Sequence, residues 1–271
     1  MPILYIIATP IGNLEDVSLR ALRILREVEL VAAEDTRKTR RLLVTYNIST
    51  PVTSYHEHNK WTKLDYIIGR LEGGDVALVS EAGTPGVSDP GYELIVACTQ
   101  RGIPVVPIPG ASAVITALVV SGLPTDRFIY MGFLPRKVNL RRRFIESVVD
   151  EYSTIVVLES PHRLLAGLKD ILLVLGDRRV AVCRELTKFH EEVFRGKISQ
   201  AIEHFTEPRG EFTLVIEGKR DKDKPQLTED IEKQLNNMRL SGVTAKETIS
   251  RLSGETGLSK KSLYRAWLNL L

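Results

Sequence analysis

Short, unbroken apolar runs that alternate with amphipathic stretches constrain the fold of this chain more than any other feature of its sequence. In the run Val76-Ala77-Leu78-Val79 every residue is apolar, so both faces of the corresponding strand need to be covered. Strands of this kind occur in parallel or mixed sheets that have helices on both faces. The predicted strands are residues 3–8, 30–33, 52–54, 76–80 and 105–108, and the predicted helices are 18–27 and 60–71. The pattern therefore predicts an α/β fold.

A second set of similar elements follows the first. Its predicted strands are residues 128–132, 154–158, 179–183 and 212–216, and its predicted helices are 140–149, 162–175 and 198–206. Between the two sets, a helix is expected to begin within residues 109–113, with Ser112 near its start. A length of 271 residues also suits about two domains. We therefore predict an N-terminal α/β domain, residues 1–110, and a C-terminal α/β domain, residues 111–218.

The end of the chain differs in charge from the rest. Residues 219–271 contain 11 Lys/Arg and 7 Asp/Glu, a net charge of +4, whereas the remainder carries −1. They begin with a charged segment that ends in proline, residues 219–225, which we interpret as a linker. This balance is typical either of a segment that touches a polyanion or of a solvated linker and helix.

Beyond the linker we predict a small helical domain, residues 226–271. Thr228 is positioned to cap its first helix. The expected helices are residues 229–240, 244–252 and 259–270, with a turn at 254–257. The basic last helix fits either a helix-turn-helix that contacts nucleic acid or a plain helical cap with Tyr264 and Trp267 in its core.

Several kinds of segment and site are not expected from the sequence. The apolar start is short and runs into a turn, so it predicts a strand rather than a signal peptide, and no apolar run approaches the roughly 18 residues that span a bilayer. Cys98 and Cys183 are predicted to be buried small hydrophobes rather than a disulfide. The sequence has neither a G-x-G-x-x-G nor a Walker pattern, and no histidine lies with cysteine at zinc spacing. We expect a cytoplasmic protein without a membrane segment or a bound metal.

The segment SEAGTPGVSDPG, residues 80–91, is the most informative loop. It directly follows an apolar strand and contains three glycines, two prolines and two carboxylates. Glycine lets the backbone approach a ligand closely, and proline stiffens the rest. Open α/β sheets place ligands at the carboxyl ends of their strands. Residues 8–16 and 109–113 form two further candidate loops, the latter with the Ser112 hydroxyl at a helix start.

Two clusters of cationic residues suggest contact with phosphate, and the first of them is predicted to begin a helix after the strand at 30–33. The candidate residues are Arg37, Lys38, Arg40 and Arg41 in the first cluster and Arg136, Lys137 and Arg141, followed by Arg142 and Arg143, in the second. Arginine suits phosphate because its guanidinium is planar and always charged. Two such clusters beside a ligand cleft favour an RNA substrate, and the alternative is a solvated helix face.

Five motifs in this order resemble the tetrapyrrole-methylase superfamily and, within it, the branch that acts on ribosomal RNA. They are TPIGNL at 9–14, AEDTR at 33–37, SEAGTPGVSDPG at 80–91, PGASA at 109–113 and LESPHR at 158–163. The resemblance covers residues 3–218 and extends to the helical end of the chain. It implies two α/β domains that hold S-adenosylmethionine in the cleft between them, and a homodimer. The implied reaction is 2′-O-methylation of a cytidine in the decoding region of 16S ribosomal RNA within the small subunit.

The resemblance also implies which residues contact S-adenosylmethionine. Those matching the loops of the first domain are Pro10, Gly83, Thr84, Val87, Ser88, Asp89, Ser112 and Ala113. Those matching the second domain's side of the cleft are Leu158, Glu159, Leu186, Thr187, Phe212 and Thr213.

A ribose hydroxyl is a poor nucleophile, so the protein is expected to align the attack and to help remove one proton. The candidate residues for that proton are Glu81, Asp35 and Lys188, of which Lys188 would have to be desolvated and neutral. A structural ion pair is the alternative role for each. Two other functions remain open from the sequence: methylation of a tetrapyrrole or another small molecule, and nucleic-acid binding without catalysis.

Overall fold

A computed structural model of the protein describes residues 1–220 and 227–269. The predicted start of the helical domain at residue 226 and the predicted end of its last helix at residue 270 lie outside the described residues. The chain divides into two compact units. The first comprises Met1–Val149 and Ser153–Glu217, and the second comprises Asp150–Tyr152 and Gly218–Leu271.

The first sheet is parallel throughout, which is one of the two arrangements, parallel or mixed, that the continuous apolar runs predicted. Its strands are β1 (Leu4–Ile7), β2 (Leu30–Ala33), β3 (Val52–Ser54), β4 (Val76–Val79) and β5 (Val105–Ile108), in the order β3-β2-β4-β1-β5. The helices between them are α1 (Leu19–Glu27), α2 (Thr36–Thr45), α3 (Lys60–Leu71) and α4 (Tyr92–Gln100). Along β4, Val76 and Leu78 belong to one apolar cluster and Ala77 and Val79 to another, so both faces of the sheet are covered.

The second sheet is mixed. Its strands are β6 (Phe128–Phe133), β7 (Thr154–Glu159), β8 (Arg179–Arg184), β9 (Glu192–Lys197) and β10 (Phe212–Ile216), in the order β6-β7-β10-β8-β9. Its helices are α5 (Ala113–Val120), α6 (Val138–Glu146), α7 (Leu164–Leu175) and α8 (Ile198–His204). Only β6 and β7 pair in parallel, whereas β10 is antiparallel to β7 and β8, and β9 to β8.

Helix α5 begins where the sequence predicted the transition between the two sets of elements. The Ser112 hydroxyl accepts the amide of Ile115 and caps this helix. Val114, Ala117 and Leu118 pack with Val156, Ala181 and Val215 of the second sheet. The predicted limits at residues 110 and 111 remain predictions.

Two elements of this unit escaped the sequence-based prediction. Helix α4 was not assigned, and edge strand β9 was missed because its sequence, EVFRGK, has too few apolar residues to suggest a strand. Helix α6 begins two residues earlier and ends three residues earlier than the predicted 140–149. Cys98 and Cys183 are buried and unpaired, as predicted.

The second unit contains α9 (Glu229–Leu240), α10 (Ala245–Thr256) and α11 (Lys260–Asn269). The predicted turn at 254–257 is wrong: α10 continues through Gly254 to Thr256, and Gly257 follows in the left-handed conformation that stops a helix. Trp267 packs against the apolar core of this unit, whereas Tyr264 is 52 % exposed. Of the two aromatic rings that the helical-cap alternative placed in the core, only the ring of Trp267 packs there. No helix in residues 1–220 and 227–269 has the length and apolar character needed to cross a membrane.

Candidate active site

A cavity of about 620 Å³ lies at the loop that follows β4. Residues of the second sheet, at the ends of β7 and β10, line its opposite wall. The lining residues that the resemblance assigned to the cofactor are Gly83, Thr84, Val87, Ser88, Asp89, Ser112, Ala113, Leu158, Glu159, Leu186, Phe212 and Thr213. The structure therefore brings together twelve residues from widely separated parts of the sequence.

The loop after β4 is held in place by both sheets. Thr9 and Gly83 exchange backbone hydrogen bonds of 2.9 and 3.0 Å, which tie the loop to the segment after β1. Gly83 has a φ of +79°, a backbone conformation that is strained for residues with a side chain. On the other side, the Ser88 and Tyr130 hydroxyl oxygens are 2.6 Å apart, which ties the loop to β6. The loop is thus tethered on both sides and forms a wall of the cavity.

Asp89 has an unusual protonation equilibrium. Burial, reinforced by the nearby charge of Glu34, raises the pKa of Asp89 to about 7, and a hydrogen bond with Ser80 opposes this shift. The carboxyl group lines the first cavity.

Glu159 is 2 % exposed and lies at the end of β7. One of its oxygens pairs with Arg163 at 2.5 Å and accepts the Ser160 amide at 2.8 Å. The other, Oε2, has no hydrogen-bond partner among the described residues. Arg163 also donates to the Leu134 carbonyl at 2.9 Å, so the Glu159–Arg163 pair fixes this wall of the cavity.

A second cavity, of about 310 Å³, adjoins the first. It lies between the segment after β1 and helix α2, and its lining residues are Thr9, Pro10, Ile11, Gly12, Leu14, Lys38, Thr39, Arg41, Leu42, Ser80, Glu81, Ala82, Lys188 and Glu211. Pro10, which the resemblance assigned to the cofactor, lines this second cavity rather than the first.

Thr187, the other residue assigned to the cofactor, lines neither of these two cavities. Its hydroxyl accepts the Asn13 amide at 3.1 Å. Gly12 makes this approach possible, because a Cβ at Gly12 would lie 2.4 Å from Lys188 Cγ and 2.8 Å from Thr187 Oγ1. The hydrogen bond between Asn13 and Thr187 thus joins the segment after β1 to the turn after β8.

The three candidate residues for the proton occupy different environments. Glu81 lines both cavities and forms an ion pair with Lys38, and its amide donates to Glu34 at 3.0 Å. Asp35 caps α2: hydrogen bonds from the Arg37 and Lys38 amides lower the pKa of its carboxyl group. Asp35 therefore has a structural role as a helix cap, which the sequence analysis did not offer, and the Arg37 guanidinium of the expected ion pair lies 3.8 Å away.

Lys188 does not fit the neutral, desolvated lysine that the base hypothesis required. Burial lowers its pKa, but hydrogen bonds to Glu185 and Glu211, both at 2.9 Å, outweigh burial and raise the pKa overall. The structure thus holds Lys188 in ion pairs with two carboxylates, which is the alternative that the sequence left open, and its role as the base stays a prediction.

The cationic candidates separate into exposed and buried residues. Arg37, Lys38, Arg40, Arg41, Arg136 and Lys137 are exposed. Arg141 is 5 % exposed, and its Nη2 and Nε atoms lie 2.6 and 2.7 Å from an Asp170 oxygen. The hypothesis that Arg141 contacts RNA is corrected, because its guanidinium is buried in an ion pair inside the second half of the unit.

Sequence reasoning missed several residues that line the first cavity. They include Ile11, Glu34, Tyr130, Phe133 and Glu211. Glu34 lies inside a recognised motif, so its position carried a signal, whereas Tyr130 and Phe133 are strand aromatics that suggest only a core. Across the part of the chain that the structure describes, no three His, Cys, Asp or Glu side chains are grouped so as to hold a metal ion.

Comparison with known proteins identifies the family. Residues 3–202 match the tetrapyrrole (corrin/porphyrin) methylases, and the chain belongs to this family. It is 47 % identical, over 100 % of its own length and 99 % of the relative, to a protein of Synechocystis sp. named ribosomal RNA small subunit methyltransferase I. A protein of Halalkalibacterium halodurans with the same name is 46 % identical over 97 % of this chain and 94 % of the relative.

Solved structures support the fold alone. Uroporphyrin-III-C-methyltransferase from Thermus thermophilus matches with a TM-score of 0.58 and 21 % identity over 80 % of this chain and 94 % of that protein. A diphthine synthase matches with a TM-score of 0.63 and 15 % identity over 80 % of this chain and 90 % of that protein. Both confirm the predicted α/β fold of the tetrapyrrole-methylase type.

Proposed function

We propose that the chain methylates small-subunit ribosomal RNA from S-adenosylmethionine, at the ribose 2′-hydroxyl of a cytidine in the decoding region of 16S RNA. The observation that carries the proposal is the pair of adjoining cavities, one sized for a cofactor and one with Lys38, Arg41 and Lys188 in its wall. Near-full-length relatives named ribosomal RNA small subunit methyltransferase I support the RNA substrate.

The residues of the first cavity fit S-adenosylmethionine by their chemistry. Val87, Leu158 and Phe212 offer apolar surface for an adenine ring. The Thr213 hydroxyl can donate or accept a hydrogen bond, and the Asp89 carboxylate can accept one. The amides at the start of α5 favour a carboxylate, because the first turn of a helix leaves its N–H groups unpaired. When bound, the cofactor supplies a methyl group that its sulfonium charge has already activated.

The protein then has two tasks, which are to orient the ribose hydroxyl and to accept its proton. Glu81 is best placed among the sequence candidates, because it lines both cavities and therefore meets any group that passes from one to the other. The Lys38 ammonium group is paired with the Glu81 carboxylate until a phosphate of the substrate competes for the ammonium group. Asp35 and Lys188 are already committed to a helix cap and to two carboxylates.

Transfer of labelled methyl groups tests the proposal. Purified protein is incubated with labelled S-adenosylmethionine and either small ribosomal subunits that lack the modification, free 16S RNA or a porphyrinogen. We expect label in the RNA of the subunits, at one cytidine that mass spectrometry identifies. Label in the porphyrinogen alone would establish the small-molecule alternative, and binding of RNA without any label would establish the non-catalytic one.

Single-turnover rates of variants test the role of Glu81. We expect Glu81→Gln to lower the rate about 10²–10⁴-fold, the usual contribution of one positioned acid or base. Asp35→Ser is the matched control, since serine keeps the helix cap but removes the carboxylate. A Glu81→Gln rate close to that of the wild type excludes Glu81 as the proton acceptor.

Two further properties belong to this proposal. We propose a homodimer, which sedimentation at several protein concentrations tests; a monomer at micromolar concentration would contradict it. We also propose a cytoplasmic location, because the small ribosomal subunit is the substrate. Fractionation of cells that express the tagged protein from its own promoter tests that location.

A further inference from the structure

The second cavity has a cationic wall supplied by one face of α2. Lys38 and Arg41 line the cavity, and they are three residues apart, so they lie on the same side of the helix. Arg37 and Arg40, which belong to the same cluster in sequence, line neither of the two cavities. Helical geometry thus divides four cations of one cluster into a pair at the cavity and a pair outside it.

Two of the three cationic side chains that line the second cavity are already paired with carboxylates. Lys38 pairs with Glu81, and Lys188 pairs with Glu185 and Glu211. Within residues 1–220 and 227–269, the guanidinium of Arg41 has no hydrogen-bond or ion-pair partner. An unpaired guanidinium in a cavity wall is suited to bind a phosphate through two parallel hydrogen bonds, as a bidentate pair.

The second cavity also has surface for a base and a direct connection to the first. Pro10, Leu14 and Leu42 supply apolar wall. Ile11, Glu81, Ala82 and Glu211 line both cavities. A group held in the second cavity therefore faces the first across a shared wall that contains Glu81.

We propose that the second cavity holds the target nucleotide of single-stranded RNA, unstacked from its neighbours, with its phosphate on Arg41 and Lys38 and its ribose at the shared wall. This inference rests on the proposed function. Enzymes that modify a nucleotide take it out of the stack into a pocket, and phosphate contacts fix its register there. A volume of about 310 Å³ is at the lower end of ligand pockets, which fits one nucleotide rather than a duplex.

This arrangement couples RNA binding to the state of Glu81. A phosphate that contacts Lys38 competes with the Glu81 carboxylate for the same ammonium group. The released carboxylate is then available to accept a hydrogen bond from the ribose hydroxyl at the shared wall. Lys38 is a positioning residue in this scheme, because it acts through Glu81 and through the phosphate.

Salt-dependent binding to small ribosomal subunits that lack the modification provides the test. The variants are Arg41→Ala, Lys38→Ala and Arg40→Ala, and Arg20→Ala is the control, since Arg20 is an exposed arginine on α1 outside both cavities. We expect Arg41→Ala to weaken binding by about tenfold or more and to lower the slope of log affinity against log salt by about 1. Arg20→Ala should match the wild type in both measurements.

The outcomes separate this inference from the proposed function. If wild-type protein does not methylate the subunits, the proposed function fails. If it methylates them but Arg40→Ala changes affinity and salt slope as much as Arg41→Ala, the helix acts as an undivided patch and the cavity assignment is overturned. S-adenosylmethionine affinity, measured by calorimetry, should stay unchanged in Arg41→Ala. A loss of that affinity with normal RNA binding would assign the second cavity to the cofactor and also overturn the inference.

Discussion

Two helices with runs of cationic residues have opposite roles in this protein. On α2, Lys38 and Arg41 line a cavity, and the charge is close to solvent. On α6, Arg141 and Arg142 both turn to a single carboxylate, Asp170 of α7. The difference shows that a cationic run in a sequence predicts a charged helix but does not predict what neutralises it.

The physical cause lies in the partner that each helix meets. Asp170 is 4 % exposed and sits on α7, where it faces α6. Burial would raise the pKa of Asp170, but hydrogen bonds from Arg142 and Arg141 lower it overall. A buried charge of this kind requires its counter-ions, so α6 is held by its arginines. On α2, Lys38 pairs with the half-exposed Glu81, and Arg41 has no ion-pair partner among the described residues.

Breaking the buried pair should give the largest effect. We expect Arg141→Ala to lower the free energy of unfolding by about 3–5 kcal/mol, because it leaves Asp170 with the half-exposed Arg142 as its remaining partner. Denaturant unfolding measures the change, and Arg143→Ala, an exposed position on the same helix, is the control. Equal stability of the two variants would remove the contrast between α2 and α6.

The pH dependence of stability should sharpen the contrast between two carboxylates. Asp89 lies near Glu34 and Glu81, and its pKa is raised from 3.8 to about 7, so its protonated form is favoured in the fold. The stability that it contributes is fully present below its ordinary pKa and is lost as pH rises to about 7, with a slope of at most about 1.4 kcal/mol per pH unit. Asp170, whose pKa is lowered, contributes stability that is lost only on acidification.

Asp89→Asn removes the titration at this position. The free energy of unfolding of Asp89→Asn should therefore rise relative to the wild type between pH 4 and 7 and level off above. Unfolding curves at several pH values measure it, with Glu146→Gln on exposed α6 surface as the control. A constant difference across this range would mean that Asp89 ionises normally.

The starts of the two helices differ as well. Asp35 accepts two amides at the start of α2, whereas Lys137 caps α6 without a side-chain hydrogen bond. We expect Asp35→Ala to cost about 1 kcal/mol and Lys137→Ala clearly less. Thermal unfolding of both variants, beside Asp35→Ser, measures this difference. A normal stability of Asp35→Ala would leave the carboxylate without the capping role that the structure gives it.

The smallest effect on stability should come from Arg142, the more exposed of the two arginines that pair with Asp170. Arg142 is 45 % exposed in its side chain, so its ion pair with Asp170 is screened by water. We expect Arg142→Ala to lower the free energy of unfolding by less than about 1 kcal/mol, provided that Arg141 remains. A loss as large as that of Arg141→Ala would mean that the two arginines act as one unit.

Sequence reasoning succeeded where the signal was local. The glycines and prolines of residues 80–91 predicted a rigid loop, and the loop forms the wall of the first cavity. It failed where the answer depended on a distant partner. Arg141 looked like its neighbours until Asp170, 29 residues away, was placed beside it. Strand β9 was missed because its pairing with β8 compensates for a weak apolar pattern.

The sequence by itself determined the α/β class, most of the strands and helices, and the loops that reach the site. These follow from apolar runs and from the backbone freedom of glycine and proline, which act over a few residues. Only the tertiary structure decided which charges are paired, that Pro10 belongs to a different cavity from Gly83, and that Glu81 lies between the two cavities. The packing of two sheets sets those distances, and no short stretch of sequence contains both sides of such a contact.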